Sequence, residues 1–184
     1  MTTAQAETLT RIPTGTWKSD PVHSDVGFEV SHMVVATFRG RFGDFEVTLD
    51  NSDGSPKLYG AVRVDSVEVR DENLNAHLLS PEFFDAEGHP EITFASNGIR
   101  TDGDDLVVEG DLTIKGTTRA VEARGRITGP VAHPAGGERI GLELSTTVDR
   151  TEFGLNWNAP MPRGGVAVSN EVTLTVHLEL AREE

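Results

Sequence analysis

The sequence predicts an all-β chain, folded as an extended eight-stranded antiparallel barrel with one short helix between its third and fourth strands. Three observations lead there. From Trp17 onward apolar residues recur mostly at every second position, the period of half-buried strands. Clusters of Gly, Asp, Asn and Pro separate these runs, giving about eight strands at a spacing that suits a barrel or a sandwich. Helical spacing is confined to one short segment. An open sheet of that size would expose two edges; closing it removes them and leaves an interior just wide enough for side chains or one small ligand.

In order along the chain, Val26, Phe28 and Val30 share one parity, and Phe45, Val47 and Leu49 form the next run after the Gly40 and Gly43 region. Leu58, Val62 and Val64 follow, and the parity then switches to Val67 and Val69, which predicts a bulge or bend near Asp65 and Ser66. In DENLNAHLLSPEFFDAEGHP, residues 71–90, Leu74, His77 and Leu78 fall at helical spacing and Pro81 stops the helix. Strands resume with Ile92 and Phe94, then Leu106, Val108, Leu112 and Ile114 around Gly110, then Val121, Ala123 and Ile127. The last two runs alternate most clearly: Ile140, Leu142, Leu144 and Val148, then Val172, Leu174, Val176, Leu178 and Leu180, with Glu171, Thr173, His177 and Glu179 on the opposite face. Turn residues at 51–56, 101–105, 115–118 and 133–138 support these divisions. The expected organisation is a flexible N-terminal segment over residues 1–15 and a single barrel domain over 16–184.

Composition limits the function classes. With 184 residues the chain is long enough for one domain with a substantial core. It has no cysteine, which excludes disulfides, thiolate metal sites and a Cys nucleophile. Sixteen basic against thirty acidic residues give a net charge of -14, which repels nucleic-acid phosphates and anionic lipid surfaces. The opening MTTAQAETLTRIPTG lacks the basic and apolar regions of a secretory signal, and no apolar run approaches the roughly 18 residues of a spanning helix. A cytoplasmic protein without stable membrane insertion is the expectation.

HSDVGFEVSHMVVATFRGRF, residues 23–42, holds the most suggestive side chains. His23, Ser24 and Asp25 imitate a catalytic triad, but successive strand residues face opposite sides and Ser24 would point away from both partners. No G-x-S-x-G elbow precedes a helix. His23 and His32 are an odd number of residues apart, which puts them on opposite faces and argues against a shared metal. His77, His89, His133 and His177 show no ligand spacing either. His32 has the inward parity of Phe28 and Val30; it is either a core histidine satisfied by a backbone carbonyl or a polar group that orients a ligand. His23 and Asp25, facing outward, would fix the strand entry by local hydrogen bonds. Aromatic residues make up only 6% of the chain and the inward parity is mostly Val, Leu, Ile, Gly and Thr, so the barrel is expected to be underfilled. Phe153, Leu155, Trp157 and Met161 sit among Pro and Gly in residues 149–165, which reads as a flexible apolar flap: ordinary packing first, then a lid, then a dimer contact.

Five stretches in order, DPVHSDVGFEVSHM (20–33), GRFGDFEVTLD (40–50), HLLSPEFFDAEGHPEITFAS (77–96), GDLTIKGTTRAVEA (110–123) and RTEFGL (150–155), resemble the YceI-like family of polyisoprenoid-binding, lipocalin-like barrel proteins. The resemblance implies a barrel, often dimeric, whose tunnel holds a long amphiphile: a polyisoprenoid, an isoprenoid quinone or a fatty amide. The implied role is carrier, storage or scavenging, without catalysis. Parity and resemblance together place ligand contacts at Ser24, Val26, Phe28, Val30, His32, Phe45, Val62, Leu74, Leu78, Phe84, Phe94, Leu112, Ile114, Leu142, Leu144, Phe153, Trp157 and Met161. No catalytic residue, metal ligand or cofactor other than the bound lipid is expected, and the partners are that lipid and a second copy in a homodimer. Two alternatives stay open: an enzyme acting on a prenyl-lipid headgroup through His32 and an inward carboxylate, and a packed barrel with a stress or interaction role.

Overall fold

The computed structural model describes residues 11–184. Its strand segments are β1 (Gly15–Ser19), β2 (Asp25–His32), β3 (Ala36–Phe42), β4 (Phe45–Asn51), β5 (Lys57–Arg63), β6 (Val67–Glu68), β7 (Glu91–Asp102), β8 (Asp105–Ile114), β9 (Thr117–Ala132), β10 (Glu138–Asp149) and β11 (Val168–Arg182), with one α-helix among the described residues, α1 (Glu72–Leu79). β1, β4, β5, β7, β8, β9, β10 and β11 form a ring that the β1–β11 pairing closes. The other three segments continue strands of that ring. β2 follows β1 along the same neighbour β11, β3 precedes β4, and β6 follows β5 after a 3-10 turn at Val64–Ser66. The result is a closed, antiparallel, eight-stranded barrel with a short helix between its third and fourth strands, as the alternation predicts.

Three consecutive strands break at the waist of the barrel, each for a legible reason. Pro21 cannot donate to a ladder, and between β1 and β2 the Ser24 hydroxyl substitutes for backbone pairing, accepting from Glu179 N at 3.0 Å and facing Glu179 O at 3.3 Å. Between β3 and β4, Gly43 N donates to Ser66 O at 3.0 Å and Asp44 N to Ser66 Oγ at 3.0 Å. The same Ser66 ends the 3-10 turn, which is the bend expected near Asp65 and Ser66; Val64 and Val67 are buried on either side of it.

β3 was not legible as a strand because no Gly, Asn, Asp or Pro marks the turn before it. Met33 and Val34 both adopt positive φ, 50° and 66°, a backbone region that disfavours an L-residue by about 1–2 kcal/mol and a β-branched residue most of all. The β8–β9 hairpin makes the same kind of turn with Lys115 and Gly116, at φ 50° and 75°.

The end of the barrel that carries the C-terminus and the β4–β5, β7–β8 and β9–β10 turns is filled by Trp17, Leu49, Leu106, Val108, Ile127, Ile140, Leu142 and Leu180. Ile12 packs against this core, and Asn51 Nδ2 donates to Ile12 O and Pro13 O at 3.1 and 3.3 Å. The expected flexible N-terminal segment thus overlaps the barrel from Ile12 on, while residues 1–10 lie outside the described residues. At the opposite end α1 lies beside β6, where Asn75 Nδ2 donates to Val67 O at 2.8 Å, and buries Leu78 in the upper cluster. Asp71 Oδ1 caps it by accepting from Leu74 N at 2.8 Å. Phe84 N to Leu78 O and Asp85 N to Ser80 O, at 3.0 and 2.9 Å, fold the link after Pro81 back onto the helix.

Candidate functional site

This upper half encloses a cavity of about 580 Å³, within the roughly 300–1,000 Å³ of small-molecule sites. Its floor is the top of the lower core, where Leu58, Ala123, Leu144 and Leu178 belong to both. Phe28, Phe42 and Phe84 form one wall, with ring centroids 6.0 Å (Phe28–Phe42), 6.2 Å (Phe28–Phe84) and 5.9 Å (Phe42–Phe84) apart, the tilted and edge-on arrangements that aromatic quadrupoles favour. Glycine makes the room: a Cβ at Gly40 would lie 2.5 Å from Phe28 Cζ, and one at Gly110 2.5 Å from Phe94 Cζ. Across the cavity Phe83 lies 5.4 Å from Trp157, and the His77 ring stands edge-on to both, at 4.9 and 4.7 Å.

Among the described residues that line the cavity there is no Asp, Glu or Lys; its charged or titratable groups are Arg150, His32, His77 and Tyr59. His32, Ala36 and Thr37 line it yet are exposed, so the cavity reaches solvent beside the β2–β3 hairpin. His77 meets Glu82 Oε2 at 2.8 Å through Nε2. Arg150 is buried, and among the described residues no carboxylate pairs with its guanidinium. Its Nη1 donates to Leu155 O and Trp157 O at 2.5 and 2.9 Å, its Nε to Ser169 O at 2.9 Å, and its Nη2 to Val168 O at 3.3 Å. Burial pushes this guanidinium down from its ordinary pKa and the charge of Asp149 opposes the shift; from so high a starting value it stays charged. Asp149 accepts from Thr151 Oγ1 at 2.6 Å and Thr151 N at 2.9 Å, and these bonds hold its carboxyl below the usual range. Asn158 adds Nδ2 to Val168 O at 2.7 Å and accepts Val168 N at 3.0 Å. The stretch expected to be a flexible flap is therefore pinned by Arg150 and Asn158, with Phe153 and Leu155 buried in the upper cluster.

Of the expected contacts, Val26, Phe28, Val30, His32, Val62, Leu74, Leu78, Phe84, Phe94, Leu112, Ile114, Leu144, Phe153 and Trp157 line the cavity. Four lie off it. Ser24 is committed to the backbone of β11. Leu142 has the right parity but falls in the filled half, Phe45 is half-buried between the two clusters, and Met161 belongs to a small outer loop where its N donates to Gly165 O at 3.1 Å. Conversely, Phe38, Phe42, Phe83, Leu155 and Arg150 line the cavity without having been singled out as contacts. Phe38 and Phe42 share parity with Gly40, which becomes useful only once a turn at Met33 and Val34 is granted. A lone Arg at the end of an apolar strand offered no signal.

The triad and metal readings meet separate ends. Ser24 has no free hydroxyl to serve His23. Asp20, His23 and Glu179 bring ligand atoms within 4.8 Å of one another on the outer wall, but Arg139 Nε lies 3.5 Å from Glu179 and already supplies a cation there. His23 Nδ1 meets Asp20 Oδ2 at 3.1 Å; this bond raises the His23 pKa and lowers that of Asp20, and it fixes the entry to β2 locally.

A family model described as a YceI-like domain matches residues 17–180. Similar proteins include a UPF0312 protein of Staphylococcus epidermidis, 31% identical over 166 residues that cover 88% of this chain and 95% of the relative. Protein YceI of Escherichia coli is 30% identical over 160 residues, 85% of this chain and 81% of the relative. Among solved structures, BcnA of Burkholderia cenocepacia superposes with TM-score 0.75 at 22% identity, covering 88% of this chain and 98% of that one. A polyisoprenoid binding domain from Saccharophagus degradans, implicated in plant cell wall breakdown, superposes with TM-score 0.70 at 12% identity, covering 93% and 100%.

Proposed function

We propose, for a chain that belongs to the YceI-like family, that it binds the tail of a long-chain amphiphile in the upper half of the barrel and acts as carrier, store or scavenger without catalysing a reaction. The observation that carries this reading is the half-hollow barrel: about 580 Å³ walled by Phe, Leu, Val and Ile and floored by a solid core. A polyisoprenoid, an isoprenoid quinone or a fatty amide would lay its tail against Phe28, Phe42 and Phe84. Each 100 Å² of tail removed from water contributes about 2.5 kcal/mol, at roughly 25 cal/mol per Å², before ordering costs. The head would lie at the mouth, near His32 and Trp157. The description of the Saccharophagus degradans neighbour as polyisoprenoid-binding supports this ligand class, on the strength of a shared fold. Catalysis by His32 with an inward carboxylate finds no carboxylate among the described lining residues.

The test is solvent extraction and native mass spectrometry of protein purified from its own host, followed by titration of the delipidated protein with isoprenoid quinone. A co-purifying lipid, a raised Tm and quenching of Trp157, which lines the cavity, are expected. Absence of both a bound lipid and a thermal shift would defeat the reading.

A further inference from the structure

We infer that the β2–β3 hairpin tip, Met33, Val34 and Val35, together with Val166, is a docking device that seats the cavity mouth on a lipid bilayer of uncharged or zwitterionic headgroups. The inference rests on the proposed lipid-binding role of the cavity.

The first observation is where the exposed apolar residues gather. Among the described residues the large hydrophobic side chains left in solvent include Met33 at 45%, Val34 at 80%, Val35 at 87% and Val166 at 49%. These four meet at one corner: Met33 N donates to Ala167 O at 2.7 Å, and His32 pairs with Val168. The second is that turn chemistry does not call for them. A turn with two positive-φ residues favours Asn-Gly, and the Lys115–Gly116 turn at the same end of the barrel follows that preference at its second position. Met33 and Val34 hold the strained conformation without a residue suited to it, so their side chains contribute something other than the turn. The third is continuity. His32 and Ala36, which flank the tip, line the cavity, so a surface that covers the tip also meets the opening.

Charge and size decide what covers it. The chain has thirty acidic residues, yet neither residues 30–38 nor 153–168 contain Asp or Glu; the nearest arginines in the chain are Arg163, in the small loop that ends at Val166, and Arg39, opposite Glu29 on the hairpin. Arg39 is paired with Glu29 at 2.6 Å, so the corner as a whole carries little charge above an acidic body. That combination accepts phosphate-bearing zwitterionic headgroups and is repelled by a strongly anionic surface. Four side chains present far less than the roughly 800 Å² per partner of a stable protein interface, whereas a few apolar side chains at the headgroup boundary suffice for reversible docking. Met33 N and Val35 N are already bonded, to Ala167 O and His32 O, so the tip takes two satisfied N–H groups into an environment that cannot bond them.

The experiment compares the full chain with a tip variant, Met33→Asn, Val34→Gly and Val35→Thr, in flotation with phosphatidylcholine vesicles and in stopped-flow extraction of an isoprenoid quinone from them. Because Asn-Gly suits the turn, the variant keeps or raises its Tm. It binds a short-chain quinone in solution as the parent does, but floats less and extracts about tenfold more slowly, the scale expected when a few apolar anchors are removed. Val22→Thr, which removes an exposed valine elsewhere, leaves flotation unchanged. Equal flotation and extraction by parent and tip variant would sink the inference, as would a parent that does not associate with phosphatidylcholine, or whose association grows with added phosphatidylglycerol. Failure of the lipid-binding role reads differently: no quinone bound in solution, whatever the vesicles show.

Discussion

Trp17 and Trp157 mark the contrast between the two halves of the barrel. Trp17 lies in the lower core and is almost wholly buried, with Arg182 over its ring at 5.6 Å; Trp157 is half-buried and lines a cavity. The same strands build both halves with the same alternation. Along β10, Leu142 lies in the solid part, Leu144 on the boundary and Val148 against open space. Where three consecutive strands break, the pairing resumes two residues out of step: β2–β3 relative to β1–β4, and β3–β6 relative to β4–β5. A bulged wall bends, and α1 with its link packs beside β6 and into the upper cluster through Leu78, Phe83 and Phe84. Hollowness is set by these interruptions more than by the character of the inward face, since the hollow half carries the larger rings, Phe28, Phe42, Phe83, Phe84 and Trp157.

The largest expected effect separates the halves by stability. Trp17→Ala opens a void in a close-packed core and should lower unfolding free energy by about 3–5 kcal/mol. Phe84→Ala enlarges a space that already exists at a half-buried site, and should cost about 1–2 kcal/mol while weakening quinone binding. Urea titration of both variants checks the contrast; equal losses would mean that the upper half is as tightly packed as the lower.

A converse pair sharpens it. Ile127→Phe overfills the lower core and should cost about 1–3 kcal/mol. Leu174→Phe adds the same bulk beside the cavity and should cost under about 1 kcal/mol, because the ring has somewhere to go, and it should also displace the ligand. If Leu174→Phe destabilises as strongly and leaves binding intact, the cavity does not admit the tail at that point.

How much of this was legible follows the same division. Alternation and turn residues identify the barrel, because a period of two reports burial directly; Val62, Leu112 and Leu144 were readable as inward for that reason. The end of the barrel in which an inward residue falls was not readable, since Leu142 and Leu144 have one parity and different surroundings. β3, with Phe38 and Phe42, was hidden by a turn built from Met33 and Val34, residues that signal strand in any local reading. Arg150 was hidden for another reason. Its partners are four backbone carbonyls spread over residues 155–169, and a carbonyl leaves no trace in side-chain spacing.

The smallest effect concerns the pin itself and is set by pH. The Asp149 carboxyl is held below its usual range by the Thr151 hydroxyl and amide. A depressed folded-state pKa contributes stability that is present above the unfolded value, about 3.9, and is lost as pH falls through the still lower folded value. Below about pH 4 the cap on the turn at Arg150–Phe153 should therefore loosen, and with it the Arg150 bonds to Leu155 and Trp157. Acrylamide quenching reads this region selectively, since Trp157 is partly accessible and Trp17 is not: the quenchable fraction should stay level down to about pH 4 and rise below it, before global unfolding. Asp149→Ala removes the acceptor, so it should show the higher quenching already at neutral pH and a flat profile on acidification. A profile in that variant as steep as the parent's would assign the change to other carboxylates and leave the pin resting on Arg150 and Asn158 alone.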